Sequence, residues 1–437
     1  LGIGLVGYAV FAFDENTPFP GMYALVPTVG TALVIIFSSK DTLSGKLLGA
    51  RIPVGIGLVS YSAYLWHQPL FVFARYRSLH EPTTTVYIVL SLLSLLLAFF
   101  SWKYVEAPFR KRGVFSRKQI FLFTAMGSAI FIAFGLAGHF TQGFEKAWKK
   151  MNPEKVTTYE LLSEARKQSA VLHEYNRLNN NDCVLSLINL DGRSGSKILE
   201  CAKKYGKGIA IIGDSHATNL VTSIYYHNKD KLKFLIGITK NGCHLPTDNP
   251  GCPYDEFRNF IKSHPDVFSV VIYEKAGFRM LSNKDGILSP HELQSISHLG
   301  SFNDMFPDEE VTSGVIDYLN ELSRLAPVIW FGPRIEPQFG DRYLLSHECS
   351  HPVTLRDGQL ETYSAIDVFV ENKLLEYPQI DYLSQIKSYK FEFPEDYMSC
   401  DKLFWVDGDH YSLAGEIEFG SRFDFIQYLR DKYGTKF

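Results

Sequence analysis

Ile209-Ala210-Ile211-Ile212-Gly213-Asp214-Ser215-His216 is the stretch on which the fold turns. Its apolar residues run on without alternation, the pattern of a parallel strand buried on both faces. The run stops at Gly-Asp-Ser-His and passes into a helix-like segment, Ala217 to Tyr226. Open α/β sheets bind ligands beyond the carboxyl ends of their strands, so Ser215 stands where chemistry is expected. A hydroxyl is a weak nucleophile at neutral pH and needs a general base, itself oriented by a third group. Val406-Asp407-Gly408-Asp409-His410-Tyr411-Ser412 offers that pair. Read as one helical turn, it puts Asp407 and His410 at i and i+3 on one side, leaving the second imidazole nitrogen for Ser215.

Around the opening stretch, β-like and helix-like runs alternate: Lys233 to Ile238, Val267 to Tyr273, Glu310 to Leu325, Val328 to Phe331, Leu360 to Glu376 and Ile380 to Ile386. The alternation predicts a parallel sheet layered with helices, an α/β domain over 182–437. Acyl chemistry needs donors aimed at a developing oxyanion. The Ser215 amide is one candidate and Gly242, in the turn Lys240-Asn241-Gly242-Cys243, is another, although a plain tight turn explains Gly242 nearly as well.

The first third differs in kind. Apolar blocks at Leu1 to Phe13, Met22 to Phe37, Val54 to Ala74, Thr84 to Trp102 and Ile120 to Gly138 mostly approach the ~20 residues that cross a ~30 Å hydrocarbon core. A bundle of about five membrane spans over 1–142 is expected. The chain opens inside an apolar run, so the bundle reads as the C-terminal part of a longer one. Lys40, Lys46 and Arg51 mark one loop, and Arg110, Lys111, Arg112, Arg117 and Lys118 another, which the positive-inside rule makes cytoplasmic; Arg75 and Arg77 dissent in an outside loop. The last span then runs outward, and residues 143–181 form a tether with one helix, Thr158 to Asn176, that packs on the α/β domain.

All six cysteines fall in the C-terminal part. Their spacing is not metal-like and, beyond an outward-running span, disulfides form, with neighbours in sequence pairing most simply: 183 with 201, 243 with 252, 349 with 400. His244, His264, His347 and His351 show no ligand spacing, so no metal is expected. A net charge of −3 gives no basic field, which argues against nucleic acid as a partner.

Gly213-Asp214-Ser215, Gly242 and Asp407-Gly408-Asp409-His410 resemble the first, second and last blocks of the SGNH (GDSL-like) hydrolase family. The likeness implies Ser215 as nucleophile, His410 as base and Asp407 as its orienter. The family's Gly-x-Asn-Asp block has no counterpart at Tyr273-Glu274-Lys275-Ala276-Gly277, which leaves the third oxyanion donor to Asn241 or the neighbourhood of Lys275. Phe19-Pro20-Gly21, Ser60-Tyr61-Ser62-Ala63-Tyr64-Leu65-Trp66-His67-Gln68-Pro69 and Tyr104-Val105-Glu106-Ala107-Pro108-Phe109-Arg110 resemble the C-terminal helices of the acyltransferase-3 family. In that likeness His67 and Glu106 are family-motif residues; an interfacial histidine and a partner for Arg110 are the plainer accounts.

The fusion resembles bacterial O-antigen acetyltransferases, in the inner membrane with the C-terminal domain in the periplasm. It implies an acyl donor, acetyl-CoA or another acyl-CoA, no bound cofactor, and a carbohydrate acceptor such as lipopolysaccharide O-antigen. Two rivals remain at this stage: a membrane-tethered glycan esterase using the same triad with water, and a transport or binding bundle carrying a non-catalytic module, which Ser215 lying far from His410 would favour.

Overall fold

The computed structural model describes all of residues 1–437 except 14–16, 19–20, 78–81, 112, 170–182, 248, 284–285, 288–301 and 435–437. The chain divides into two units, Leu1–Phe140 and Thr141–Phe437.

In the first unit each apolar block is helical: Gly2–Ala12, Leu25–Phe37, Arg51–Arg77, Thr84–Ser101 and Arg117–Phe140. Thr84–Ser101 continues through a wider π-type turn, Trp102–Glu106, into Ala107–Arg110. Two helices, Thr84–Arg110 of 27 residues and Arg117–Phe140 of 24, are long and apolar enough to cross a membrane. At ~1.5 Å per residue they reach about 35–40 Å. The last leaves Phe121, Ile130, Phe131 and Phe134 exposed, a surface that water does not tolerate in a monomeric domain. Arg75 and Arg77, expected in a loop, fall within the helix Arg51–Arg77. Phe19 and Pro20 fall outside the described residues.

The second unit is built on a parallel six-stranded sheet. Its strands are β1 (Val184–Leu187), β2 (Gly208–Gly213), β3 (Leu235–Thr239), β4 (Phe268–Glu274), β5 (Val328–Phe331) and β6 (Ile380–Leu383), in the order β1-β3-β2-β4-β5-β6. β2 lies inside the sheet between β3 and β4, which is why its six residues are all buried. Ala210 and Ile212 enter one apolar cluster, with Ile236, Val271 and Trp330; Ile209 and Ile211 enter the other, with Leu220, Ile272 and Phe331. The period of two thus feeds two cores, one under each helical layer.

The predicted run Ile380 to Ile386 ends as a strand at Leu383, because Ser384 caps a short helix, Gln385–Tyr389, by accepting the Lys387 N–H. The helix expected over Thr158 to Asn176 is Val156–Gln168; it buries Leu162 and Ala165 in the second core, and the Thr158 hydroxyl donates to the His347 carbonyl. Its Asn-rich sequel falls outside the described residues. The disulfides are Cys183–Cys201, Cys243–Cys252 and Cys349–Cys400, the neighbour pairing expected.

Candidate active site

β2 ends at Gly213, whose φ of +152° and contacts admit no side chain: a Cβ there would lie 2.0 Å from the Glu274 carbonyl oxygen. The backbone therefore approaches β4 closely before turning into the helix Ser215–Asn228. Asp214 caps that helix. One of its oxygens accepts the His216 N–H at 2.9 Å and the other accepts the Ala276 N–H at 3.0 Å, tying the turn to the end of β4. Ser215 begins the helix, where N–H groups have no intrahelical partner and point outward.

The 195 residues that separate Ser215 from His410 are closed by one contact, Oγ to Nε2 at 2.8 Å. Asp407 Oδ2 lies 2.9 Å from His410 Nδ1. The segment carrying them is not the helical turn expected; it is a bend, because Asp407 Oδ1 accepts the N–H groups of Asp409 and His410 at 3.0 and 2.8 Å and so closes the chain on itself. An Asp-closed bend also puts residues three apart side by side, so the pairing survives the change of backbone.

Asn219 and Arg334 hold this bend to the helix Ser215–Asn228. Asn219 Oδ1 accepts from the Tyr411 N–H at 3.1 Å and from Arg334 Nη1 at 3.0 Å, while its Nδ2 donates to Glu416 Oε1 at 2.5 Å. Arg334 Nη2 donates to the His216 carbonyl at 2.9 Å and to Glu274 Oε1 at 2.5 Å, and the guanidinium lies 3.9 Å from the Tyr411 ring centroid. Arg334 and Glu274 are fully buried. Burial raises the Glu274 carboxyl to about 6 despite its cation.

Ionisation of His410 is set by its neighbours. Burial opposes charge on His410, but the carboxylates of Asp407 and Asp409 outweigh it and hold the imidazole well above the ordinary histidine range. His216 follows Ser215 and is fully buried, and burial followed by the field of Arg334 depresses it to about 4. Its Nε2 lies 3.2 Å from Asp409 Oδ2. Ligand atoms of His216, Asp409 and His410 come within 4.8 Å of one another, with one Asp409 oxygen 3.2 Å from His216 Nε2 and the other 3.2 Å from His410 Nδ1.

Gly242 occupies a left-handed turn at φ +76° with open space where a Cβ would be, anchored by the adjoining Cys243–Cys252 bridge. Lys275 is buried with its ammonium on the Leu245 carbonyl, and burial lowers it to about 7. Glu274, at the position where an oxyanion donor was missing, is an acceptor bound to Arg334. In the N-terminal unit Glu106 pairs with Arg110 at 2.5 Å and accepts from Ser62 at 3.1 Å, the plainer of its two readings. His67 Nδ1 bonds back to the Tyr64 carbonyl of its own helix at 2.7 Å. Sequence reasoning passed over Asp409, Arg334, Glu336 and Asn219; the signal available for Arg334 was a lone cation three residues beyond the fully apolar run of β5.

The chain is 30% identical over 119 residues to the O-acetyltransferase OatA of Staphylococcus aureus strain NCTC 8325, a match covering 25% of this chain and 20% of that relative. The matched stretch thus spans about a fifth of the relative's length. Among solved structures, the periplasmic domain of a lipopolysaccharide acetyltransferase from Salmonella ser. Paratyphi A aligns at 17% identity over 62% of this chain and 100% of its own, with a TM-score of 0.37. Est24, a carbohydrate acetylesterase from Sinorhizobium meliloti, aligns at 12% identity over 49% and 95%, with a TM-score of 0.28. Residues 177–425, more than half of the chain, match the model of the SGNH domain found fused to AT3 domains, and the chain belongs to that SGNH family.

Proposed function

We propose that the protein transfers an acyl group, acetyl in the first instance, to a hydroxyl of an envelope carbohydrate such as lipopolysaccharide O-antigen. The single observation that carries the reading is the line Asp407–His410–Ser215, joined at 2.9 and 2.8 Å beyond the carboxyl end of β2. The family's fusion to AT3 domains and the O-acetyltransferase relative support transfer over hydrolysis. Ser215 Oγ attacks the donor's acyl carbonyl as His410 Nε2 takes its proton; the leaving group departs with that proton, and the ester on Ser215 remains. A sugar hydroxyl then gives its proton to His410 and attacks the ester, and Ser215 recovers its hydrogen. The amides of Ser215 and Gly242 are the proposed oxyanion donors.

The N-terminal helices are proposed to lie in a bacterial inner membrane as the C-terminal part of an acyltransferase-3 bundle, passing acyl from an acyl-CoA to the periplasmic domain. His67 and Glu106 belong to that proposal as motif residues; the two long apolar helices and the disulfides in the second unit support it. The test is Ser215→Ala in cells that carry the full-length protein. Glycan acetylation is expected to vanish while the protein stays in the membrane fraction; persistent acetylation refutes the reading. Release of free acetate from an acetylated glycan, with no transfer when acetyl donors are supplied, would identify an esterase instead.

A further inference from the structure

Behind His410 lies a carboxylate that a three-residue line does not require. Asp409 Oδ1 is 3.2 Å from His410 Nδ1, the same nitrogen that Asp407 reaches at 2.9 Å. The second oxygen of Asp409 is 3.2 Å from His216 Nε2, and the His216 ring meets the His410 ring edge-on at 5.3 Å between centroids. Asp407 is the outer of the two, its side chain 34% exposed against 20% for Asp409. On the far side of His216, Glu336 Oε1 stands 3.7 Å from Nδ1; its carboxyl group is held by the N–H groups of Gly277 and Phe278, by Gln338 and by the Tyr363 hydroxyl.

We infer that Asp409, fixed by His216, is a second orienting carboxylate for His410 that shares the Nδ1 proton with Asp407, so that the base keeps its tautomer when either carboxylate is lost. The inference rests on the reading of Ser215 and His410 as nucleophile and base. An imidazole between two acceptors on one nitrogen has its other nitrogen committed to Ser215, whichever acceptor holds the proton. His216 is neutral, so it donates from Nε2 to Asp409 and prevents that carboxylate from rotating away. The charged and titratable groups facing His410 are Asp407, Asp409, Ser215 and His216, with Asp214 and Arg334 acting on His216 and Glu336 on the far side of it. Asp409 and His216 are positioning residues; neither is assigned contact with the reacting atoms.

The test is the rate at which a fluorophosphonate labels the full chain in detergent, followed against pH. Labelling forms a phosphorus–oxygen bond on Ser215, breaks the phosphorus–fluorine bond, releases fluoride and passes the serine proton to His410. Ser215→Ala checks the parent reading, and Asp407→Asn, Asp409→Asn and the double variant check this one. Each single change is expected to slow labelling about 10-fold and to move the acid limb about one pH unit lower, because one of two anions has left the imidazole. The double change is expected to cost about 10⁴-fold, the scale of losing a triad carboxylate outright. If Asp407→Asn alone is as slow as the double variant, or Asp409→Asn leaves the acid limb in place, the shared proton is refuted while the nucleophile stands. If Ser215→Ala labels at the unaltered rate, both readings fall. Asp409→Ser, with the same expectations, serves should Asp409→Asn not fold.

Discussion

Replacing Arg334 with Met removes a cation that holds Glu274, the His216 carbonyl and Asn219 from a fully buried position. Even beside this guanidinium, burial keeps the Glu274 carboxyl at about 6. A carboxyl raised by folding binds more protons in the folded than in the unfolded chain. Its ionisation therefore costs stability, and the cost accrues as pH climbs from the unfolded value of 4.5 to the folded one near 6. Without Arg334 the folded value is expected near ~8–9, as for carboxyls in apolar pockets. At about 1.4 kcal/mol per pH unit, the charge part of the loss at pH 8 is about 3 kcal/mol. At pH 5 Glu274 is protonated in either protein, and what remains is the unanswered His216 carbonyl, about 1–2 kcal/mol. Arg334→Met is thus expected to destabilise by about 1–2 kcal/mol at pH 5 and about 4–5 at pH 8, within the ~3–5 kcal/mol typical of breaking a buried pair from one side at neutral pH. Urea unfolding of the full chain in mild detergent, read from the fluorescence of buried Trp330 and Trp405, measures both. Adding Glu274→Gln should remove the pH-dependent part. Equal losses at the two pH values, or no relief from Glu274→Gln, would refute the account.

Gly213→Ala should destabilise the domain, as read by urea unfolding, by more than the ~1–3 kcal/mol of ordinary overpacking, since its Cβ meets backbone 2.0 Å away at a φ that L residues avoid; a stable variant would refute the close approach. Asn219→Ala leaves the Tyr411 N–H and Arg334 Nη1 short of an acceptor, an expected cost of about 2–4 kcal/mol. The same variant should slow fluorophosphonate labelling of Ser215 under conditions where the chain is still folded, because the bend carrying His410 loses its anchor; full-rate labelling would show that the anchor is unnecessary.

The parts of the domain that depend on neighbours in sequence were legible. β2 declares itself because continuous Ile and Ala fit a strand covered on both faces, and Gly213-Asp214-Ser215 because a turn, a cap and a proposed nucleophile each need a distinct residue type. The pairing of Asp407 with His410 was legible too, but for a reason that did not fix its backbone: a helical turn and an Asp-closed bend both juxtapose residues three apart. Gly408 was the clue to the bend, since it favours turns over helix. Arg334, Glu274 and Glu336 were illegible because a buried ionisable group is tolerable only beside a partner. Those partners lie 60 residues away for Glu274 and Arg334, and 58 to 59 for the amides that hold Glu336. His216 could not be placed from its position in the helix alone; what buries it is the C-terminal bend, 193 residues on.

Glu274, Glu336, Asp407 and Asp409 all lie in this region, and four like charges placed close together cannot all persist. Glu274 is answered by Arg334. Burial, followed by the charge of Asp409, raises Glu336 to about 8, so at neutral pH it is largely protonated and adds no anion behind His216. Burial works against charge on Asp409 also, yet His410 and the hydrogen bond from His216 hold it well below the ordinary carboxylate range. Two anions therefore face the imidazole, not four. In the proposed mechanism, the imidazolium formed when Ser215 gives up its proton meets preorganised negative charge in a setting of low dielectric, where a fixed partner is worth several times its value in water. The same two anions hold His410 protonated to higher pH and reduce the fraction of neutral base in the resting site. On the proposed reading, the second carboxylate thus exchanges some availability of the base for greater stability of the ion pair that the reaction would create.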